Sequence, residues 1–301
     1  MSLNINKNLD KPTALTIGKF DGLHKGHRKL IAELKNIANK NDLNCTVLSF
    51  KPHPEDILRS ASTPLILSYD EKQDILQNLG IDTYIEYPFT KEFSKVSPED
   101  FMVDIVIKKL NPRFLMVGEQ YRFGSGGKGD INLAKDIGKA YGLEVFQVPH
   151  VLQNNLKVSS SIIRRLIRQK NFEVANDMLT YNFFVSGQVI DGKKLGKTIG
   201  FATANIVPPN KKLLPPNGVY ATNTDINGKI YKSITNIGIN PTIEDDRNLI
   251  IESHLLNFNK DIYGQNIKIE FCGWLRDEVK FDSIEDLKFQ LTKDVNKRLS
   301  I

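Results

Sequence analysis

Two histidines lie three positions apart in the stretch GKFDGLHKGH, with a glycine directly before the second. His24 and His27 follow a short apolar run and precede a segment with helical periodicity. A chain that turns from a strand into a helix presents free backbone N–H groups and partial positive charge, which suits an anion. Imidazoles there would lie in a field that disfavours their charged form, and the neutral rings could donate hydrogen bonds to a phosphate as charge develops on it. Gly26 would let a nucleotide approach the backbone closely.

Metal ligation is the competing interpretation of the histidine pair. His-x-x-His supplies two ligands, and only His53, in FKPHP, is a candidate for a third. Packing or solvent exposure would be the default interpretation of each histidine taken alone. Together with Gly26 and the strand–loop–helix context, the pair favours phosphate chemistry.

A second group of possible phosphate donors occurs in VSSSIIRRLI. The serines at positions 159–161 stand at a predicted helix start, where hydroxyl and N–H donors are available. Arg164 follows one turn later on the same face. A capped helix with solvated arginines is the alternative.

Two glycine-rich stretches come close to a phosphate-binding P-loop without matching it. In FGSGGKGD, Lys128 is followed by Gly129 rather than by Ser or Thr. In GKKLGKTIG, three residues rather than four separate Gly192 from Gly196. Each stretch is interpreted as a loop that could cover a ligand, with an ordinary surface loop or hairpin as the alternative.

The second half contains a further set of chemically suited side chains. Thr203 and Asn205 are two apart on a predicted strand, so they share a face and could hold one Mg²⁺-nucleotide between them. Glu252 stands alone in the apolar segment LIIESHLL. A carboxylate there faces burial unless it is paired, so it is a candidate functional group.

These residues need elements to position them, and the first half alternates short strands with helical segments. The predicted strands are TALTIGK, CTVLSF, TYIEYPF, RFLMVGE and EVFQVPHV. Helix-start signals are Ser68 with Glu71, and Ser97-Pro98 with Asp100. Such alternation indicates βαβ units on a parallel sheet, whose ligands bind at the carboxyl ends of the strands.

After residue 183 the helical periodicity gives way to short strands and turns. Asn227-Gly228 marks a hairpin, and an amphipathic helix is predicted from about Ser283 to the end. The residues alone indicate an antiparallel barrel or sandwich.

Composition limits the class of protein. The 301 residues are 40% hydrophobic and 25% charged, as in globular proteins, and are long enough for two domains. The net charge of +6 has no basic tail or pole, so nucleic acid is not favoured as the main partner. Cys45 and Cys272 are expected to be reduced thiols in the cytoplasm. No secretory leader or membrane span is predicted.

Several stretches, taken in order, resemble one family. GKFDGLHKGH resembles the signature of the nucleotidylyltransferase superfamily, and its FDG narrows the resemblance to the bacterial riboflavin kinase and FAD synthetase family. SFKPHP, VGEQYRFGSGGKGD and VSSSIIRRLI match that family in the first half. In the second half, GFATAN resembles the flavokinase signature with Ala202 in place of proline, and NIGINPTI and IESHLLNF follow in order. The resemblance spans roughly residues 13 to 298.

The resemblance implies an α/β plus all-β protein. A Rossmann-like nucleotidylyltransferase domain with a parallel sheet would occupy residues 1–183, and a riboflavin kinase domain, a six-stranded antiparallel β-barrel with a terminal helix, residues 184–301. The implied reactions are phosphorylation of riboflavin to FMN by ATP, then adenylylation of FMN to FAD with release of pyrophosphate, with Mg²⁺ in both sites. The expected partners are ATP, riboflavin and FMN, without nucleic acid or membrane, for a monomer or weak homo-oligomer.

The resemblance also implies roles for individual residues. His24 and His27 would catalyse adenylyl transfer, and Glu252 would be the kinase base that accepts a proton from the flavin's ribityl hydroxyl. Nucleotide contacts in the first domain are implied for Gly18, Phe20, Asp21, Gly26, Ser159, Ser160, Ser161 and Arg164. In the kinase, nucleotide contacts are implied for Gly196, Lys197, Thr203 and Asn205, metal contacts for Thr203 and Asn205, and flavin contacts for Arg276 and Glu278. The last two residues could equally begin a surface-charged helix.

Two departures from the family pattern raise an alternative. Many relatives carry an acidic residue where Lys51 stands, and Asn where Gln120 stands. A kinase with impaired adenylyl transfer is therefore the nearest alternative function. The others are a different nucleotidylyltransferase fused to a binding barrel, and a non-enzymatic flavin-responsive or RNA-binding module.

Overall fold

The structure, a computed structural model, describes residues 9, 11–59, 62–191, 201, 203–239 and 249–301. Two compact units are present, Met1–Ser159 and Ser160–Ile301. The boundary at residue 183 stays a prediction. Two helices that precede it in sequence, α7 (Ser160–Arg168) and α8 (Phe172–Leu179), are grouped with the second unit.

The first unit is built on a five-stranded parallel sheet in the order β3-β2-β1-β4-β5. All five predicted strands are present. They are β1 (Thr13–Ile17), β2 (Asn44–Lys51), β3 (Thr83–Pro88), β4 (Pro112–Gly118) and β5 (Glu144–Val148). β6 (Leu152–Gln153) and β7 (Leu156–Lys157) form a separate small hairpin.

Helices connect the parallel strands, as βαβ topology requires. They are α1 (Lys25–Lys40), α2 (Pro54–Leu58), α3 (Tyr69–Asn78), α4 (Pro98–Asp100), α5 (Lys108–Leu110) and α6 (Ile131–Ala140), with a π-helix at Phe101–Ile107 and 3₁₀ turns at Phe93–Lys95 and Ser125–Gly127. The predicted caps are confirmed: Ser68 and Glu71 form a capping box at α3, and the side chain of Ser97 accepts from the N–H of Asp100.

The second unit contains a closed barrel in the order β10-β11-β12-β9-β8-β13. Its strands are β8 (Phe184–Ile190), β9 (Thr203–Ile206), β10 (Gly218–Ile226), β11 (Lys229–Ile239), β12 (Leu249–Leu255) and β13 (Asn266–Arg276). The barrel, rather than the sandwich, is therefore observed. The Asn227-Gly228 hairpin is confirmed, since both residues have positive φ and join β10 to β11.

The terminal helix is also confirmed, as α9 (Ile284–Leu299) with Ser283 as its N-cap. A bidentate ion pair joins it to β13: Arg276 Nε and Nη2 donate to the Asp294 carboxylate at 2.8–3.1 Å. Asp294 is buried, and a buried pair of this kind fixes geometry as well as energy.

The inside of the barrel holds a closed ring of five hydroxyl groups, all fully buried. The hydroxyl of Thr222 is hydrogen-bonded to those of Ser233 and Thr235, and the hydroxyl of Thr224 to those of Ser233 and Ser253. The hydroxyl of Thr235 donates to that of Ser253. The five O···O distances lie between 2.7 and 3.1 Å. Each hydroxyl therefore has two partners, and the polar interior is satisfied without water.

Candidate active sites

The loop between β1 and α1 carries the histidine motif in a strained conformation. Phe20 and Leu23 have φ of 49° and 37°, and Gly22 has φ of 85°. Asp21 anchors the loop, because its buried carboxylate accepts the N–H groups of Ile66 and Leu67, both at 3.1 Å. Such a conformation persists only where its surroundings fix it.

The two histidine rings stack on each other at the start of α1. Their centroids are 3.7 Å apart with an interplanar angle of 15°. His24 is the N-cap, and its Nδ1 accepts the N–H of His27 at 3.4 Å. The ring of Phe20 contacts that of His27 edge-on at 5.2 Å. The Nδ1 atom of His27 is buried and has no hydrogen-bond partner in the structure.

Both imidazoles are held neutral at pH 7. Burial lowers the pKa of His24 from 6.5 to about 4, partly offset by the nearby Asp21. Burial also lowers the pKa of His27 well below 6.5, assisted by His24 and Lys72. The sequence predicted neutrality from the field of the helix N-terminus, whereas burial is the largest cause.

Gly26 lies against His24. A Cβ at this position would fall 3.3 Å from Nδ1 and Cε1 of the His24 ring. The glycine therefore leaves room for the stacked imidazoles, and the predicted approach of a nucleotide to its backbone stays a prediction. Gly18 is related in the same way to Phe20, whose ring would be 3.1 Å from an added Cβ.

A cavity of about 510 Å³ lies beside the histidine motif in the first unit. At one end it is lined by Gly18, Phe20 and His27. The lining also includes the carboxylate of Glu55, which makes an ion pair with Lys19 at 2.7 Å. The other walls contain six aromatic and three basic side chains. These residues are Phe50, Phe89, Phe93, Phe101, Tyr121, Phe123, Lys19, Arg59 and Arg122. Phe123, Gly124 and Gly127 of this lining belong to FGSGGKGD, the stretch interpreted from the sequence as a loop that could cover a ligand. The aromatic walls were not predicted, and their signal in the sequence was the number of Phe residues between positions 89 and 123.

A buried lysine is linked by hydrogen bonds to the loop between β1 and α1. Lys72 of α3 donates to Ser49 Oγ at 3.1 Å, and Ser49 Oγ donates to the carbonyl of Lys19 at 3.1 Å. The rings of Tyr69 and Tyr84 lie 5.1 and 5.6 Å from its ammonium group. Burial lowers the pKa of Lys72 to about 8.

The two positions that depart from the family pattern are both near this site. Lys51 makes an ion pair with Glu86 at 3.2 Å and lies over the ring of Tyr69 at 4.5 Å. Gln120 lines the aromatic cavity. Ser159 ends the first unit, and Ser160, Ser161 and Arg164 lie on α7 in the second; the triphosphate contacts expected of these four residues stay a prediction.

The second unit brings its predicted kinase residues to one face of three neighbouring strands. Glu252 of β12 is directly opposite Asn205 of β9 on one side and Asn236 of β11 on the other. Directly opposite residues share a face. Asn205 is buried and Glu252 half-buried, and Thr203 lies on the same face of β9. Asn236 was not predicted, because its place depends on the strand register.

The remaining predicted kinase residues have different surroundings. The Arg276 guanidinium is engaged by Asp294, as described for α9. Glu278 lies over β11, since a Cβ at Gly238 would fall 2.5 Å from its Oε1. Gly196 and Lys197, with the loop from residue 193 to residue 197, lie outside the described residues.

Two features are absent from the described part of the chain, a metal cluster and a membrane-spanning helix. No group of three or more His, Cys, Asp or Glu side chains comes together there as a metal cluster would require. Among the helices described, none is both long and apolar enough to cross a bilayer.

Each half of the chain matches a known protein family. A family model for FAD synthetase matches residues 6–162, and one for riboflavin kinase matches residues 179–301. A bifunctional riboflavin kinase/FMN adenylyltransferase of Buchnera aphidicola (subsp. Schizaphis graminum) is 36% identical over 96% of this chain and 94% of the relative. The Bacillus subtilis protein of the same name is 36% identical over 94% and 90%. A crystal structure described as a macrolide-efflux protein from Streptococcus pneumoniae superposes with a TM-score of 0.87, at 29% identity over 97% of this chain and 95% of that one.

Proposed function

The chain belongs to the family of bifunctional riboflavin kinases/FMN adenylyltransferases, and we propose that its two compact units divide the two reactions between them. It is a transferase that makes FMN from riboflavin and ATP, and FAD from FMN and ATP. A family model matches each half, so the comparisons give no support to a kinase-only protein.

We place adenylyl transfer at the cavity beside His27. The observation that carries this assignment is that one cavity joins the imidazole of His27 to a group of aromatic side chains. A flat isoalloxazine ring fits among offset or edge-on aromatic side chains. The FMN phosphate would then face the histidine end. Lys19 is already paired with Glu55, so Arg59 and Arg122 are the lining residues that would supply positive charge.

The chemistry at this site needs no covalent intermediate. A phosphate oxygen of FMN attacks the α-phosphorus of ATP, and pyrophosphate leaves. His27 and His24 remain neutral, so they donate hydrogen bonds to the α-phosphate and the leaving pyrophosphate without giving up a full proton. The rigid loop and the stacked rings contribute positioning, which is a large part of phosphoryl-type catalysis.

We place the kinase reaction at Glu252. Its carboxylate accepts the proton of the terminal ribityl hydroxyl while that oxygen attacks the γ-phosphorus of ATP, and ADP leaves. The side-chain oxygens of Thr203 and Asn205 form a hard donor set on one face of β9, which fits Mg²⁺. Bound there, Mg²⁺ would neutralise charge on the nucleotide phosphates.

A reciprocal pair of variants tests the division of labour. Glu252→Ala should abolish FMN formation from riboflavin while FAD formation from supplied FMN continues. His27→Ala should abolish FAD formation while FMN accumulates. A chromatographic time course that resolves the three flavins measures both, and the activity that each variant retains shows that its unchanged unit is folded. Loss of both activities in a folded single variant would refute the two-site assignment.

Location and assembly are part of the same proposal. We propose a cytoplasmic enzyme, supported by two cysteines that form no disulfide, of which Cys45 is buried. We propose a monomer or weak homo-oligomer whose partners are its small-molecule substrates.

A further inference from the structure

Asn236 extends the row of polar side chains that contains the proposed kinase base. Its Cα is paired with that of Glu252 across β11 and β12, and Glu252 is paired with Asn205 across β12 and β9. Directly opposite Cβ atoms in antiparallel strands are about 5 Å apart. The three side chains therefore lie side by side, with the carboxylate in the middle.

The amide of Asn236 is incompletely satisfied. Its Oδ1 is buried and accepts no hydrogen bond in the structure. A buried, unpaired amide oxygen is costly, and native proteins pair nearly all such atoms. The oxygen is therefore placed for a donor that arrives with a substrate.

The position of Asn236 indicates which substrate supplies that donor. The nucleotide donor set, Thr203 and Asn205, lies on the β9 side of Glu252, whereas Asn236 lies on the β11 side. Glu278, an expected flavin contact, is also on the β11 side. The Cβ position of Gly238 is 2.5 Å from Glu278 Oε1 and 3.4 Å from Asn236 Nδ2.

From this placement we propose that Asn236 binds the ribityl chain of riboflavin and orients its terminal hydroxyl toward Glu252. The proposal rests on the kinase site assigned above. The ribityl hydroxyls are donors that Oδ1 lacks, and the γ-phosphate approaches from the opposite side of Glu252. Asn236 is thereby a substrate-binding residue that sets the acceptor geometry for phosphoryl transfer.

The test compares riboflavin with lumiflavin, which has the same ring system and a methyl group in place of the ribityl chain. In Asn236→Ala, the KM for riboflavin in the kinase reaction should rise about tenfold, as expected for one lost hydrogen bond in a buried site. The inhibition constant of lumiflavin against the same reaction should change less than twofold. The KM for ATP and FAD formation from supplied FMN should be unchanged.

Two further variants complete the design. Asn266→Ala removes an exposed asparagine from β13 and should leave every constant unchanged. Asn236→Ser keeps a hydroxyl and should give an intermediate KM, which also covers the case in which the alanine variant fails to fold. The fluorescence of Trp274, the single tryptophan, monitors the barrel in each variant.

The outcomes separate this proposal from the one it rests on. A riboflavin KM within twofold of wild type, an increase in the KM for ATP instead, or an equal loss of lumiflavin affinity would each refute the role of Asn236. If Glu252→Ala still phosphorylates riboflavin, the kinase site itself is misplaced. If Glu252→Ala is inactive and Asn236→Ala is normal, only the role of Asn236 fails.

Discussion

Replacing Lys72 with methionine should stabilise the first unit at neutral pH. Lys72 is 5% exposed, and its pKa is lowered from 10.5 to about 8 because burial disfavours its charged form. Below pH 8 the folded protein must hold a buried charge that the unfolded chain solvates. That difference in pKa corresponds to roughly 3 kcal/mol of lost stability at pH 7.

The net gain is smaller, because methionine cannot donate to Ser49. One such hydrogen bond contributes about 1 kcal/mol, so Lys72→Met should be more stable by about 2 kcal/mol at pH 7. As the pH rises toward 10.5, the unfolded chain also loses its proton and the gain disappears. Near pH 10 the variant and the wild type should differ by less than about 0.5 kcal/mol.

The assay needs a probe in the first unit, since the single tryptophan lies in the second. Cys45 is buried in β2, and its alkylation as a function of urea, read by peptide mass spectrometry, reports unfolding of the parallel sheet. Lys29→Met, at an exposed position on α1, is the matched control and should shift stability by less than about 0.5 kcal/mol at either pH. A less stable Lys72→Met at pH 7, or a gain of equal size at pH 7 and pH 10, would refute the reasoning.

Two other properties of the first unit can be checked directly. Because the pKa of His24 is about 4 in the folded chain and 6.5 in the unfolded chain, lowering the pH from 6.5 to 5 should cost the first unit about 1.5 kcal/mol from this residue alone. Urea-dependent alkylation of Cys45 measures this loss of stability. If the free energy of unfolding of His24→Asn falls as steeply with decreasing pH as that of the wild type, the loss does not come from His24. Phe93→Ala should raise the KM for FMN in FAD synthesis about tenfold and leave the KM for riboflavin unchanged. The same substitution at exposed Phe289 should have no effect in steady-state kinetics, and equal effects would argue against a flavin in the aromatic cavity.

Local signals in the sequence were sufficient for the five parallel strands and for several caps and turns, but they left a barrel and a sandwich open for the second half. The capping box of Ser68 and Glu71 and the Asn227-Gly228 turn involve residues adjacent or nearly adjacent in sequence, so their types alone specify the geometry. The same holds for His24 and His27, whose spacing places them together at a helix start.

The missed features all depend on contacts between distant segments. The cavity brings together aromatic residues from position 20 to position 123, and no period in the sequence marks them. Asn236 joins Glu252 only through the register of β11 and β12. Lys72, in the polar segment YDEKQDILQN, has the sequence pattern of a solvated lysine, and its burial follows from packing of α3 against Ser49 and Tyr84.

The hydroxyl ring inside the barrel has a direction. Thr235 donates to Ser253, and each oxygen has one proton to give, so the donation runs onward through Thr224, Ser233 and Thr222 and returns to Thr235. Around a closed circuit the O–H dipoles largely cancel, so this polar interior contributes little electric field at the carboxylate on the outer face of β12. Deleting any one hydroxyl opens the circuit. One of its neighbours then has an unpaired O–H donor, and the other has an oxygen that accepts no hydrogen bond. The five groups therefore act as a single cooperative unit that clamps three strands together.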